Sequence, residues 1–192
     1  MYGLKPLNHM GTVEIETERL ILRRTYLSDA QMMFNNWAND PEVTRFLLWE
    51  THTDIDMTKT ILSLWDTKYG KPDFYLWGLV IKGNGQLMGT IGAMNTVEMF
   101  QCTELGYCIG RSYWGKGYMT EAVANVIEYL FNTVGFNRIT ARFNPDNIAS
   151  GRVMQKNNMV FEGISRKAGF TEKQGFYDFI NYAILKEDYK NN

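Results

Sequence analysis

Apolar residues along the chain repeat with two periods, and the switches between them outline the elements. Arg19 to Arg24 sets Leu20 and Leu22 two residues apart, the spacing of a strand. Ser28 or Asp29 then caps a helix reaching about Trp37, which Asn39, Asp40 and Pro41 stop. Between Asp54 and Tyr69, Ile55, Ile61, Leu62, Trp65 and Tyr69 share one helical face, and Gly70 closes that helix. Phe74 to Lys82 is rich in aromatic and β-branched residues, turns at Gly83-Asn84-Gly85 and returns as Gln86 to Met94. Cys102 to Ile109 adds a third strand to this hairpin.

The stretch from Glu104 to Phe131 joins both periods through a glycine turn. Leu105, Tyr107 and Ile109 alternate, and beyond the turn Met119, Ala122, Val123, Val126, Ile127, Leu130 and Phe131 form one apolar helical stripe. Arg138 to Phe143 alternates again and predicts a strand parallel to its predecessor across that helix. Asn147 caps a short helix to about Asn157, and Met159 to Phe170 pairs with Phe176 to Leu185 around TEKQG. The sum is an α/β sandwich with a mixed sheet: a loosely ordered lead over residues 1–12, then a single domain over residues 13–192.

Composition narrows the function classes. The 192 residues suit one well-buried domain. Twenty basic and 21 acidic residues nearly cancel, and no basic run interleaved with aromatics marks a direct nucleic-acid surface. No apolar stretch reaches signal-peptide or membrane-span length, so a cytoplasmic protein without membrane contact is expected. Cys102 and Cys108 lie on one straight strand, roughly 20 Å apart at about 3.3 Å per residue, too far to bridge. Free thiols fit a reducing compartment.

The glycine turn carries the chemistry. Gly115 and Gly117 lack Cβ atoms, so backbone N–H groups can approach an anion at a helix N-terminus, where the dipole also favours negative charge. The plainer reading is a simple strand-to-helix turn. From Gly110 the chain reads GRSYWGKG, the start of a triphosphate-binding P-loop, but Gly117 stands where the Mg²⁺-ligating hydroxyl belongs. WGKGYMTEAV instead resembles the pyrophosphate loop of the GNAT superfamily of acetyl-CoA-dependent N-acetyltransferases. The likeness is greatest to the branch that acetylates N-termini of ribosomal proteins. TERLILRR, NDPEVTRFL, ELGYCIG, NPDNIASGRVMQKNNM and GFYDFINYAILKEDY match that branch in order over nearly the whole chain.

The resemblance implies a mixed, mostly antiparallel sheet flanked by helices and splayed at the acetyl-CoA site. It implies direct acetyl transfer to a primary amine, most simply a protein or peptide N-terminal α-amine. The other readings are a polyamine or antibiotic acetyltransferase and a non-catalytic acyl-CoA-binding module. The amine acceptor, a protein N-terminus among the candidates, is the expected partner, and the chain is expected as a monomer or homodimer. Cofactor contacts carried over are Tyr107, Cys108, Ile109, Trp114, Gly115, Lys116, Gly117, Tyr118, Met119, Thr120, Asn147 and Ser150, with Cys108 and Ile109 as backbone donors. Met119 stands where a small residue is usual, Asn158-Met159 replaces Gly-Phe, and Gly169 occupies a position that is a carboxylate in some relatives.

Acyl transfer from a thioester to an amine needs a neutral amine, a donor for the oxyanion and a proton for the departing thiolate, and no metal. Neither His9 nor His52 sits where a zinc site or a Ser/His/Asp triad can form. Glu104, on the strand feeding the turn, is the candidate base, with a solvated residue or an ion-pair partner as the alternative. Ser150 follows Asn147 by one helical turn and shares its face. By resemblance Asn147 holds the cofactor arm and Ser150 lies near the thiol, as acid or as stabiliser of the thiolate. Asn147 also suits a helix cap, and Lys116 adds charge beside the phosphates.

Overall fold

The computed structural model describes residues 5–172 and 174–190. Among them are eight strands: β1 (Ile15–Glu16), β2 (Leu20–Arg23), β3 (Tyr75–Ile81), β4 (Leu87–Val97), β5 (Cys102–Ile109), β6 (Arg138–Phe143), β7 (Val160–Thr171) and β8 (Gly175–Leu185). They form one sheet in the order β1-β2-β3-β4-β5-β6-β8-β7. Every neighbouring pair is antiparallel except β5 and β6. That parallel pair is the one joined by a helical crossover, α4 (Tyr118–Tyr129), as parallel pairing requires. The mixed, mostly antiparallel sheet is thus as the sequence predicts.

Two apolar layers cover the sheet. All seven residues of the predicted stripe on α4 and its π-turn continuation are buried, packed with Leu20, Leu22, Trp77, Leu79, Ile91 and Leu105. Full burial of such side chains is worth roughly 1.5–3 kcal/mol each, so α4 is anchored along its length and its N-terminus is a fixed point. The opposite layer joins Val80 and Leu87 to α1 (Ala30–Met33), α2 (Pro41–Thr44) and α3 (Ile55–Lys68) through Met33, Trp37, Val43 and Leu62. Asp54 caps α3 by accepting from the N–H groups of Asp56 and Met57. Two further helices, α5 (Ile148–Lys156) and α6 (Lys186–Lys190), follow β6 and β8. No helix among the described residues is long and apolar enough to cross a membrane.

Two local expectations need correction and a third is extended. Asp29 does not cap the first helix by its side chain: its buried carboxylate pairs with Arg23 at 2.8 Å and accepts from the Tyr26 N–H. Pro41 does more than stop the preceding helix, which ends in a π-turn at Phe34–Ala38. It occupies the first position of α2, where its missing N–H costs nothing, behind the cap of Asp40 on Glu42. The loose lead was expected over residues 1–12, yet residues 5–12 are tied to the body. Asn8 donates to the Val134 carbonyl, Gly11 to that of Pro72, and buried Thr12 to that of Phe74. Residues 1–4 and 191–192 of the lead and domain spans, and Lys173 of the TEKQG turn, lie outside the described residues.

Candidate active site

The parallel pair opens partway along. β5 and β6 pair from Cys102↔Arg138 to Leu105↔Ala141 and stop, although β5 runs on to Ile109 and β6 to Phe143. β4 stays paired with β5 up to Gly89↔Ile109, so the gap lies on the β6 side alone. The Gly110 N–H donates to Met88 at 2.8 Å, and the alternation of an antiparallel ladder then turns the backbone of Cys108 and Gly106 toward β4. The backbone groups of Tyr107 and Ile109 face the gap. Of the two expected backbone donors, Ile109 is therefore available to a ligand, whereas Cys108 is committed to the ladder and Tyr107 takes its place. The Ile109 carbonyl accepts from Trp114 Nε1 at 2.8 Å, which folds the half-exposed indole back over the strand end.

The turn that follows meets the requirements of an anion site. Gly115 and Gly117 have φ of 73° and 80°, left-handed values that cost a side-chain-bearing residue roughly 1–2 kcal/mol. Gly117 leads directly into α4, whose first N–H groups lack helical partners. Tyr118, Met119 and Thr120 supply those N–H groups, while the Met119 side chain is buried and leaves the approach open. Lys116 extends its ammonium over the Tyr113 ring, 5.9 Å from the centroid. Arg19 on the approach to β2 crosses under the turn: Nη1 donates to the Lys116 carbonyl at 3.0 Å, Nε to Glu121 at 2.6 Å, and the guanidinium lies 4.6 Å from the Tyr118 ring centroid. Burial pushes the Glu121 carboxyl up, but hydrogen bonds from Thr17 and Arg19 outweigh it and hold the group below its usual value.

Across the gap, α5 brings its N-terminus to β5. Asn147 Oδ1 accepts from the Ser150 N–H at 3.3 Å, so the cap uses the oxygen and leaves the amide nitrogen as a donor. Ser150 Oγ donates to Tyr107 Oη at 3.1 Å, and that phenol donates to the Ser150 carbonyl at 3.0 Å. Burial pushes the Tyr107 phenol up to about 12, against a smaller pull from the Ser150 hydrogen bond. Ser150 and Tyr107 are one hydrogen-bonded unit. Gly151 lets the helix sit there, since a Cβ would meet the Phe143 ring at 2.5 Å.

Glu104 points to the other face of β5, the face that Cys108 shares with the α1–α3 layer. Its Oε1 pairs with Arg142 Nε at 2.9 Å and its Oε2 accepts from Asn95 at 3.1 Å. The carboxylate is thus an ion-pair partner, held from both neighbouring strands. A ligand arm running through the gap would meet Tyr107 and Ser150 from one face and Glu104 from the other. His9 is taken by Glu98 and Tyr75, and His52 by Thr58. Among the described residues no three His, Cys, Asp or Glu side chains converge on a metal position, and both cysteines are free. Gly169 packs beneath the Tyr177 ring, which leaves no room for a side chain there.

Sequence reasoning missed Arg19, Glu121, Asn95 and Arg142. Arg19 stood in the TERLILRR strand and Glu121 one helical turn past Gly117, but nothing in either stretch says that they meet 102 residues apart. Asn95 reaches Glu104 because β4 bulges between Met94 and Val97 and Asn95 adopts φ 54°. The sequence pattern ends that strand at Met94, one residue short of Asn95, whereas β4 runs on to Val97.

The comparisons agree with this geometry. The family model described as "Acetyltransferase (GNAT) domain" matches residues 19–160. The chain is 31% identical over 172 residues to the uncharacterised N-acetyltransferase YoaA of Bacillus subtilis, covering 90% of this chain and 96% of that one. It is 27% identical over 175 residues to the [ribosomal protein uS5]-alanine N-acetyltransferase of Escherichia coli, covering 86% and 87%. A crystal structure of a GNAT-family acetyltransferase from Bacillus anthracis superposes with a TM-score of 0.79 at 26% identity, over 91% of this chain and 99% of that one. The glycine turn on a splayed sheet and the family match over most of the chain make this protein a member of the GNAT acetyltransferase family.

Proposed function

We propose that residues 13–192 work as one domain that transfers acetyl from acetyl-CoA to the α-amine of a protein or peptide N-terminus. Acetyl transfer follows from the family, and acetyl-CoA is the donor that the family implies. The acceptor is the proposed part. The observation that carries it is the pairing of an unpaired β5 edge with a single held carboxylate, Glu104, on the open face. An α-amine has a pKa near 8 and a lysine near 10.4, so at pH 7 roughly one α-amine in ten is already neutral but fewer than one lysine in a thousand. One carboxylate base suffices for the first. The uS5-alanine acetyltransferase among the relatives supports the same acceptor class.

When bound, acetyl-CoA supplies the activated acetyl thioester. In this reading the N–H groups from Gly115 to Thr120 hold the diphosphate, with Trp114 and Lys116 at its rim. The Tyr107 and Ile109 N–H groups and the Asn147 amide position the pantetheine arm and polarise the thioester carbonyl. Glu104 takes the proton from the incoming amine, directly or through one water. Ser150 keeps its hydrogen bond to the Tyr107 hydroxyl, and the phenol turns from the Ser150 carbonyl to donate to the departing thiolate. The setting is cytoplasmic, and the chain acts as a monomer or homodimer. The test is thiol release from acetyl-CoA with Ser- and Ala-initiated peptides, spermidine and an aminoglycoside as separate acceptors. Release with the peptides is expected, release only with spermidine or the aminoglycoside makes this a small-molecule enzyme, and binding without release makes it an acyl-CoA-binding module.

A further inference from the structure

A glycine on each side of Lys116 makes the centre of the anion turn easy to flip. Gly115 and Gly117 both occupy left-handed conformations, and glycine moves between φ signs at little cost. If the Lys116–Gly117 peptide rotated, its carbonyl would face the anion in place of the N–H. The peptide is trans, so its C=O and N–H point to opposite sides. Whatever holds the carbonyl also aims the amide.

Arg19 holds that carbonyl, with Nη1 3.0 Å from the Lys116 oxygen. The guanidinium is itself fixed from two more directions, by Glu121 Oε2 on Nε at 2.6 Å and by the Tyr118 ring beneath it. Glu121 is fixed in turn by the Thr17 hydroxyl at 2.6 Å and the Arg19 N–H at 2.8 Å on its other oxygen. Among the described residues the Gly117 N–H has no acceptor. A carboxylate in the first turn of α4 suits the helix dipole but would repel a bound diphosphate, and the Arg19 charge beside it cancels that repulsion.

We infer that Arg19 is a positioning residue for the co-substrate: by fixing the Lys116 carbonyl and neutralising Glu121, it aims the Gly117 N–H at the diphosphate of acetyl-CoA. This rests on the acetyl-CoA reading above. It requires that Arg19 matter for ligands that carry a diphosphate and not for those that lack one.

The experiment is calorimetric titration of the unaltered chain and of Arg19→Ala with acetyl-CoA and with acetyl-pantetheine, which carries the same thioester without phosphates. Arg19→Ala is expected to weaken acetyl-CoA binding about tenfold or more, the scale of a lost charge-assisted hydrogen bond, and to leave acetyl-pantetheine binding within about twofold. An unchanged acetyl-CoA affinity overturns the inference, and so does an equal loss for both ligands, which marks a merely structural residue. Should Arg19→Ala not fold, Arg19→Lys keeps the charge without the planar fork and must still weaken acetyl-CoA selectively. Failure of the unaltered chain to bind acetyl-CoA would overturn the underlying reading instead.

Discussion

Glu104 on β5 and Arg142 on β6 form an ion pair of 2.9 Å at the level where the two parallel strands cease to pair. The Arg142 guanidinium also lies 4.4 Å from the Phe179 ring centroid, so the carboxylate is held against a fixed cation. A base placed this way is oriented before the acceptor arrives. Glu104→Gln should therefore lower turnover at pH 7 by roughly 10²- to 10⁴-fold and recover as pH rises, because free amine then forms without help. A pH–rate profile checks it. A uniform loss at every pH would assign Glu104 to positioning alone.

Tyr107 and Ser150 should behave as a unit. With its phenol pushed up to about 12 by burial, Tyr107 stays protonated through neutral pH and serves as a donor. Ser150→Ala and Tyr107→Phe should each reduce kcat more than acetyl-CoA affinity, and the double variant should lose less than the sum, since one hydrogen bond joins them. A double-mutant cycle measures this. Loss of affinity alone would make both simple binding residues.

Gly117→Val should weaken acetyl-CoA binding strongly and also lower stability by about 1–2 kcal/mol, because a β-branched residue cannot adopt φ 80° without strain. Calorimetric titration and thermal melts separate the two effects. Unchanged acetyl-CoA affinity would place the anion site elsewhere.

The fold was legible where one period ran long enough to fix a face. The α4 stripe from Met119 to Phe131 is buried at every expected position, and β5 begins and ends at Cys102 and Ile109 as the alternation predicts. Asn158 adopts φ 57°, the left-handed turn expected of an Asn in place of Gly. What stayed hidden depends on contacts between distant segments. The lead shows no period, yet its described residues 5–12 are fixed by single hydrogen bonds such as that of Asn8 to Val134. The tilt of backbone donors on β5 depends on register against β4, which composition does not encode, so the donor role expected of Cys108 falls to Tyr107, itself an expected cofactor contact. The Arg19–Glu121 pair escaped for the same reason.

His52 gives the chain a pH dependence on its α1–α3 side. Burial holds the imidazole below its ordinary 6.5, partly offset by Asp54, so the folded protein keeps it neutral where the unfolded chain takes a proton. Stability from this residue is present above about pH 6.5 and is lost as pH falls from there through the folded value. Thermal melts from pH 7 to 5 should show Tm falling, with a shallower fall in His52→Gln. Parallel curves for the two proteins would contradict the assignment.

The acceptor is decided most directly by mass spectrometry on two peptide sets incubated with the protein and acetyl-CoA. One set has free Ser or Ala N-termini and no lysine, and the other has blocked N-termini and internal lysines. Acetylation of the first set and little of the second is expected, because only the α-amine approaches neutrality at pH 7 beside a single carboxylate. Preferential acetylation of the blocked, lysine-bearing peptides would contradict it.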